Sequence, residues 1–174
     1  TSISAIAGPV IGGNLKRLVK GRFPNAMRKN HIIIAGATPL ALSVYDGLRR
    51  RGDEVTVIVP PGVPQEYPAA TDLIEGDPSS VEVLRSAGVT RARYVLALRA
   101  DDAENAFIVL AAKEACGEQG AKTVALVNTS KHLEKIRRVQ PDLVFSVQLL
   151  GAELLARTIT GEPLDSQSIT DLFF

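Results

Sequence analysis

The sequence predicts an α/β fold: a doubly wound parallel sheet of about six strands, followed by a crossover helix. Three observations carry that expectation. From His31 onward, short β-branched runs alternate with longer helical stretches, the pattern of strands joined by crossover helices. The runs are apolar almost without interruption, as strands covered on both faces must be. The 174 residues, 45% hydrophobic and 22% charged, suit one domain of roughly 150 residues with an appendage.

The predicted strands are Ile32–Ala35, Val55–Val59, Asp72–Glu75, Tyr94–Leu98, Thr123–Val127 and Leu143–Ser146. Between them, helices are expected over Leu40–Arg50, Ser80–Ala87, Asp102–Cys116 and Lys131–Val139. The crossover from Pro60 to Ala70 carries Pro60, Pro61, Pro64 and Pro68, which leave no room for a regular helix of any length. After the sixth strand, Val147–Thr160 reads as a helix, ended by a Gly161–Pro163 break and a short segment closing on Leu172-Phe173-Phe174. Seven consecutive apolar residues, Ala106 to Ala112, encircle the helix they sit on, so it needs cover on more than one side. Leu149, Leu150, Ala152, Leu154, Leu155 and Ile159 form a second wide apolar band. Both bands, with Phe173 and Phe174, suggest self-association; the alternative is burial within a single copy.

Charge is unevenly spread. Residues 1–30 hold six bases (Lys16, Arg17, Lys20, Arg22, Arg28, Lys29) and no acid, leaving 14 bases against 19 acids, net −5, for residues 31–174. No overall field marks a nucleic-acid binder. The uncharged run Thr1 to Leu15 reaches about 22 Å as a helix, short of a hydrocarbon core of ~30 Å. Bases directly after an apolar run mark the cytoplasmic side of a membrane segment, so the run is expected to be the end of a longer transmembrane helix. A lone Cys116 excludes an internal disulfide and fits a reducing compartment; with two histidines it offers no zinc spacing.

The first strand runs into Gly36-Ala37-Thr38-Pro39-Leu40-Ala41, the place of the G-x-G-x-x-G/A loop in dinucleotide-binding folds. Gly36 and Ala41 fill the first and third positions. Thr38 puts a side chain where bare backbone should meet a pyrophosphate, and Pro39 removes one helix N–H. Pro60 stands where an acid would bind a ribose. The cofactor is therefore unknown, with NAD disfavoured; Gly36, Thr38 and Asp77 are the candidate nucleotide contacts. Asp77 also reads as a turn residue in Gly76-Asp77-Pro78-Ser79. Asp101 and Glu104 are spaced as a capping box, and Asp102 adds charge suited to the helix dipole; a cation site from the three is the less favoured reading. His31 and His132 are expected to be solvated, and Cys116 to be buried or inert. No metal motif, nucleophile elbow or acid–base pair points to an enzyme, so no catalytic residue is assigned.

Five stretches carry a family resemblance: Gly8-Pro9-Val10-Ile11 through Asn14-Leu15-Lys16-Arg17-Leu18-Val19-Lys20-Gly21-Arg22, Gly76-Asp77, Leu84-Arg85-Ser86-Ala87-Gly88-Val89, Asp102-Ala103-Glu104-Asn105-Ala106-Phe107, and Leu150-Gly151-Ala152-Glu153-Leu154-Leu155-Ala156-Arg157. With them, the chain resembles the Rossmann-like RCK (TrkA-N) regulatory domains of bacterial potassium channels of the Kch type. The resemblance implies a cytosolic gating-ring domain at the cytoplasmic face of the cell membrane, beneath a transmembrane pore of the same channel. It implies three parts: residues 1–30 as pore-helix end and basic linker, 31–146 as core, and 147–174 as crossover helix and short C-terminal segment. Pairing is implied through about Leu149–Ile159, and an octameric ring through about Asp102–Cys116 and Lys131–Val139. Met27 lies where an internal start, such as some relatives use for soluble copies, would have to be, and the larger C-terminal lobe of many relatives is not expected in the few residues after Thr160. Thr38, Pro39 and Pro60 depart from nucleotide-binding relatives. The alternative is a soluble nucleotide-sensing subunit of a TrkA-like potassium uptake system.

Overall fold

The structure, a computed structural model, describes residues 16–18 and 28–173. Its strands are β1 (Lys16–Leu18), β2 (Ile32–Ala35), β3 (Val55–Val59), β4 (Asp72–Glu75), β5 (Tyr94–Ala97), β6 (Lys122–Leu126) and β7 (Leu143–Phe145). The helices are α1 (Pro39–Arg50), α2 (Val81–Ser86), α3 (Asp102–Cys116), α4 (Leu133–Arg137), α5 (Val147–Thr160) and α6 (Ser166–Phe173). One sheet runs in the order β1-β4-β3-β2-β5-β6-β7. The six strands from β2 to β7 are parallel, while β1 lies antiparallel on β4 with Lys16 opposite Glu75 and Leu18 opposite Leu73. The chain winds outward from β2 to β4, then returns to β5 on the other side of β2, which makes the sheet doubly wound.

Both faces of the sheet are apolar, and period-two alternation shares them out. Ile32, Ile34, Val55, Val57 and Leu73 face α1 and the proline-rich crossover. Ile33, Ala35, Ile58, Ile74 and Val95 face α2 and α3. No helix forms between β3 and β4. Tyr67 of that crossover packs edge-on against Tyr45 of α1, with centroids 5.3 Å apart at 80°, and covers the face instead. Helix starts follow their caps: Thr38, Ser80, Asp101 and Ser146 each accept a bond from a first-turn N–H. Gly161, at φ 74°, stops α5 in the left-handed region.

Three segments differ from expectation. Residues 16–18 of the basic arm are a sheet strand. The helix expected over Lys131–Val139 shortens to α4, with Ser130–His132 as a 3₁₀ turn before it. Finally, α6 folds after the glycine break, where the side chain of Asp165 accepts from the N–H of Ser168 at 2.7 Å. The expected pore-helix end, most of the basic arm, Met27 and Phe174 lie outside the described residues. None of the helices in the described part is long and apolar enough to cross a membrane.

The two apolar bands meet different fates. In α3, Ile108, Val109, Ala111 and Ala112 are buried, while Phe107 and Leu110 are 58% and 47% exposed. In α5 no residue is buried, and Leu154, Leu155 and Ile159 are 44%, 61% and 76% exposed.

Candidate functional site

In an open parallel sheet, ligands meet the crevice at the carboxyl ends of the strands where the winding reverses, here beyond β2 and β5. Gly36 ends β2 with φ +130°, and a Cβ there would stand 2.8 Å from the carbonyl oxygen of Leu98 and 3.5 Å from Cδ of Arg99. Only glycine fits between these strands. The loop is held from several sides: Gly36 N–H donates to Ile58 O at 3.0 Å, and the Tyr67 hydroxyl donates to Gly36 O at 2.8 Å. Burial, reinforced by Tyr45, pushes the Tyr67 phenol well above its ordinary value, so it stays a donor.

Thr38 is committed to the fold. Its hydroxyl donates to Leu98 O at 3.0 Å and accepts from Ala41 N–H at 3.2 Å, while Pro39 opens α1 without an N–H. The Gly36 and Ala41 N–H groups and the Thr38 hydroxyl are thus engaged within the fold. Thr38 therefore places a side chain, and Pro39 a missing donor, where a dinucleotide-binding loop presents bare backbone N–H groups.

The three candidate contacts share the carboxyl end of the sheet without sharing one cavity. Thr38, Leu126, Asn128 and Gln148 line a space of about 360 Å³. Asp77 lines another of about 430 Å³ with Pro60, Ser79, Arg99 and Glu104. Arg99 connects Gly36 to this second cavity, because its stem lies against Gly36 and its guanidinium pairs with Glu104 at 3.0 Å. Asp77 accepts from the N–H and hydroxyl of Ser79 at 2.9 and 2.7 Å, as a turn residue does. Arg99 was not foreseeable as a lining residue, since only the pairing of β5 beside β2 brings it over the glycine loop.

The start of α3 differs from a simple capping box. Asp101 caps the N–H of Glu104 at 3.0 Å, but the Glu104 side chain goes to Arg99 instead of returning to the cap. Asp102 turns inward and is 7% exposed. It accepts from the N–H groups of Asn128 and Thr129 at 2.7 and 3.0 Å, from the Asn128 amide at 2.9 Å, and from Nδ1 of His132 at 2.8 Å. Burial alone would raise the Asp102 carboxyl. The bonds from Asn128 N–H, His132, the Asn128 amide and Thr129 N–H outweigh it and hold the group below the usual carboxylate range. With Asp102 so engaged and Glu104 paired, Asp101, Asp102 and Glu104 do not converge on a cation, and no such cluster occurs among the described residues.

Both histidine expectations are corrected. His132 is half-buried against Asp102, because the 3₁₀ turn aims it across to α3. His31 is fully buried: its Nε2–H donates to Ala87 O at 2.7 Å at the end of α2. Burial lowers the His31 pKa against the opposing bond to Ala87, and the nearby Arg28 and Arg91 lower it further. Cys116 is half-buried and donates to Ala112 O at 2.9 Å, a placement without an activating base.

A glycine loop closed by neighbouring side chains, a Gly-Asp turn after β4 and an inward acid opening α3 form one ordered constellation. Residues 32–147 match the TrkA-N domain family. The chain belongs to that family. Within it, this TrkA-N chain is similar over 178 aligned positions, 99% of its length, to the voltage-gated potassium channel Kch of Escherichia coli K12, at 40% identity. It spans 42% of Kch. Among solved structures it is similar to the RCK domain of GsuK at 24% identity, covering 82% of this chain and 30% of that one, with a TM-score of 0.61. It is also similar to the Shewanella denitrificans Kef CTD in its AMP-bound form, at 20% identity over 82% of this chain and 86% of that one, with a TM-score of 0.62. These two likenesses establish the fold.

Proposed function

We propose that this TrkA-N chain is the cytosolic regulatory domain of a potassium channel, self-associating and passing a ligand or ionic signal to a pore formed by another part of the same protein. The 40% identity with Kch across 99% of the chain carries this reading, and it favours a channel over a soluble uptake subunit because the match includes the basic arm. The exposed apolar faces support the mechanical part. An α5 with no buried residue and an α3 showing Phe107 and Leu110 are surfaces for further copies of the chain, α5 for pairing and α3 with α4 for a ring. A signal acts by favouring one packing of such copies over another, since only differential binding shifts an equilibrium. Thr38 and Pro39 in the Gly36 loop support a signal other than NAD.

Sedimentation tests the pairing. Leu154→Asp sets a carboxylate on the exposed stripe of α5 and is expected to turn dimers into monomers; unchanged dimers overturn the pairing face. Potassium flux through the full-length gene product in liposomes tests the channel itself.

A further inference from the structure

At the end of the sheet opposite the ligand crevice, a charged side chain is buried for no reason the crevice supplies. Arg28, the last base but one of the arm, is 12% exposed, whereas its neighbour Lys29 is open to solvent. One guanidinium nitrogen, Nη1, donates to Val55 O at 3.0 Å, Thr56 Oγ1 at 3.2 Å and Asp72 Oδ2 at 3.0 Å; Nη2 pairs with Glu54 at 3.4 Å. Thr56 donates to the same Asp72 oxygen at 2.8 Å. The partners lie 26 to 44 residues away, at the amino ends of β3 and β4. The backbone is tied as well: Arg91 Nε donates to Arg28 O at 3.1 Å, and Asn30 N–H donates to Arg91 O at 2.7 Å.

Stability does not explain the choice of residues. A buried ion pair recovers little more than its own desolvation, and well-packed apolar side chains would serve as well. Arg28 Nε, moreover, has no hydrogen-bond partner among the described residues. What such a pair supplies is position, because a fork of donors accepts only one arrangement of acceptors. The arm meets the same strand a second time, since β1 runs antiparallel along β4 and ends with Leu18 opposite Leu73, one residue from Asp72.

We infer that Arg28 and Asp72 are the tie that fixes the end of the arm to the sheet, with β4, which β1 also joins, as the strand through which displacement of the domain reaches the arm. The tie itself stands on the contacts above; its use in gating rests on the function proposed for this chain. Arg28 is thus a positioning residue, acting through β4 on segments it does not touch.

Hydrogen exchange on the 174-residue chain tests it. The double variant R28Q/D72N removes the tie without leaving a buried charge alone. The amides of Asn30 and Ile32, bonded to Arg91 O and Glu54 O at 2.7 and 2.9 Å, are expected to exchange about tenfold faster or more, while Ile108 in α3 keeps its protection. R28M/D72L, which fills the space with apolar groups, is expected to do the same. Wild-type exchange at Asn30 and Ile32 in either variant overturns the tie. A double variant that fails to fold also overturns it, because the pair would then hold the core and not the arm. A full-length protein that passes no potassium into liposomes would remove the gating reading and leave the exchange result to judge the tie.

Discussion

Asp72 and Asp102 are each 7% exposed, at opposite ends of the sheet, and the fold satisfies them by different means. Asp72 faces a guanidinium carried in by the arm, with Thr56 as its neutral partner. Asp102 faces two backbone amides, a side-chain amide and an imidazole, all from the turn after β6. The carboxyl end of the sheet is therefore self-contained, closed by groups that belong to its own loops. The amino end is completed only when a segment from outside the parallel sheet docks on it. Charge has been placed where an outside segment must find one position, and dipoles where a loop must merely hold its shape.

The sharpest break of this comparison is truncation of each acid. Asp72→Ala strips the buried Arg28 of its buried counter-charge and leaves the half-exposed Glu54 to balance it, for an expected loss of about 3–5 kcal/mol in urea unfolding. Asp102→Ala orphans amides instead of a charge, and about 1–3 kcal/mol is expected. Equal losses would show that Arg28 contributes no more than a dipole does.

Acid separates the two ends more gently. The folded His31 ring stays neutral below its ordinary value of 6.5, so the unfolded chain binds more protons, and stability falls as pH drops from about 6.5 toward the folded value. The contribution of Asp102 is full above its ordinary value of 3.8 and is lost only as pH falls through a still lower folded value. Urea midpoints followed against pH are expected to decline in two stages, the amino end first. His31→Gln, which retains a donor for Ala87 O, should remove the first stage and leave the second. A single decline near the lower range would refute the ordering.

The smallest effect probes the closed loop. Tyr67→Phe removes the donor to Gly36 O while keeping the ring packed on Tyr45, and a loss of about 1 kcal/mol in thermal or urea unfolding is expected. A larger loss would mean that the carboxyl end also depends on a reach across the chain.

Strands and crossovers were legible because their signals are local. Apolar, β-branched runs marked β2 and β3 to the residue, Leu73 and Ile74 marked β4 between its two acids, and four prolines forbade a helix where Tyr67 now covers the sheet. The substitutions at Thr38 and Pro39 were legible too, since a missing glycine and a missing N–H are properties of single residues. Contacts between distant segments were not. His31 follows a basic stretch and looks solvated until α2 brings Ala87 to it, 56 residues later. Asp102 reads as a helix-dipole charge until Asn128 and Thr129 arrive from beyond β6. Lys16-Arg17-Leu18 has no β-branched residue and no alternation; its strand is made by the open edge of β4, which lends its backbone to whatever lies alongside.

That borrowed strand bears on solubility. An unpaired strand edge is a template for another chain, and β1 covers the edge that β4 would otherwise present. Were β1 removed, the sheet would end on β4, with the half-buried Glu75 as the charge deterring edge-to-edge growth. The same arm that docks on the sheet through Arg28 would then also decide whether that edge is open to aggregation.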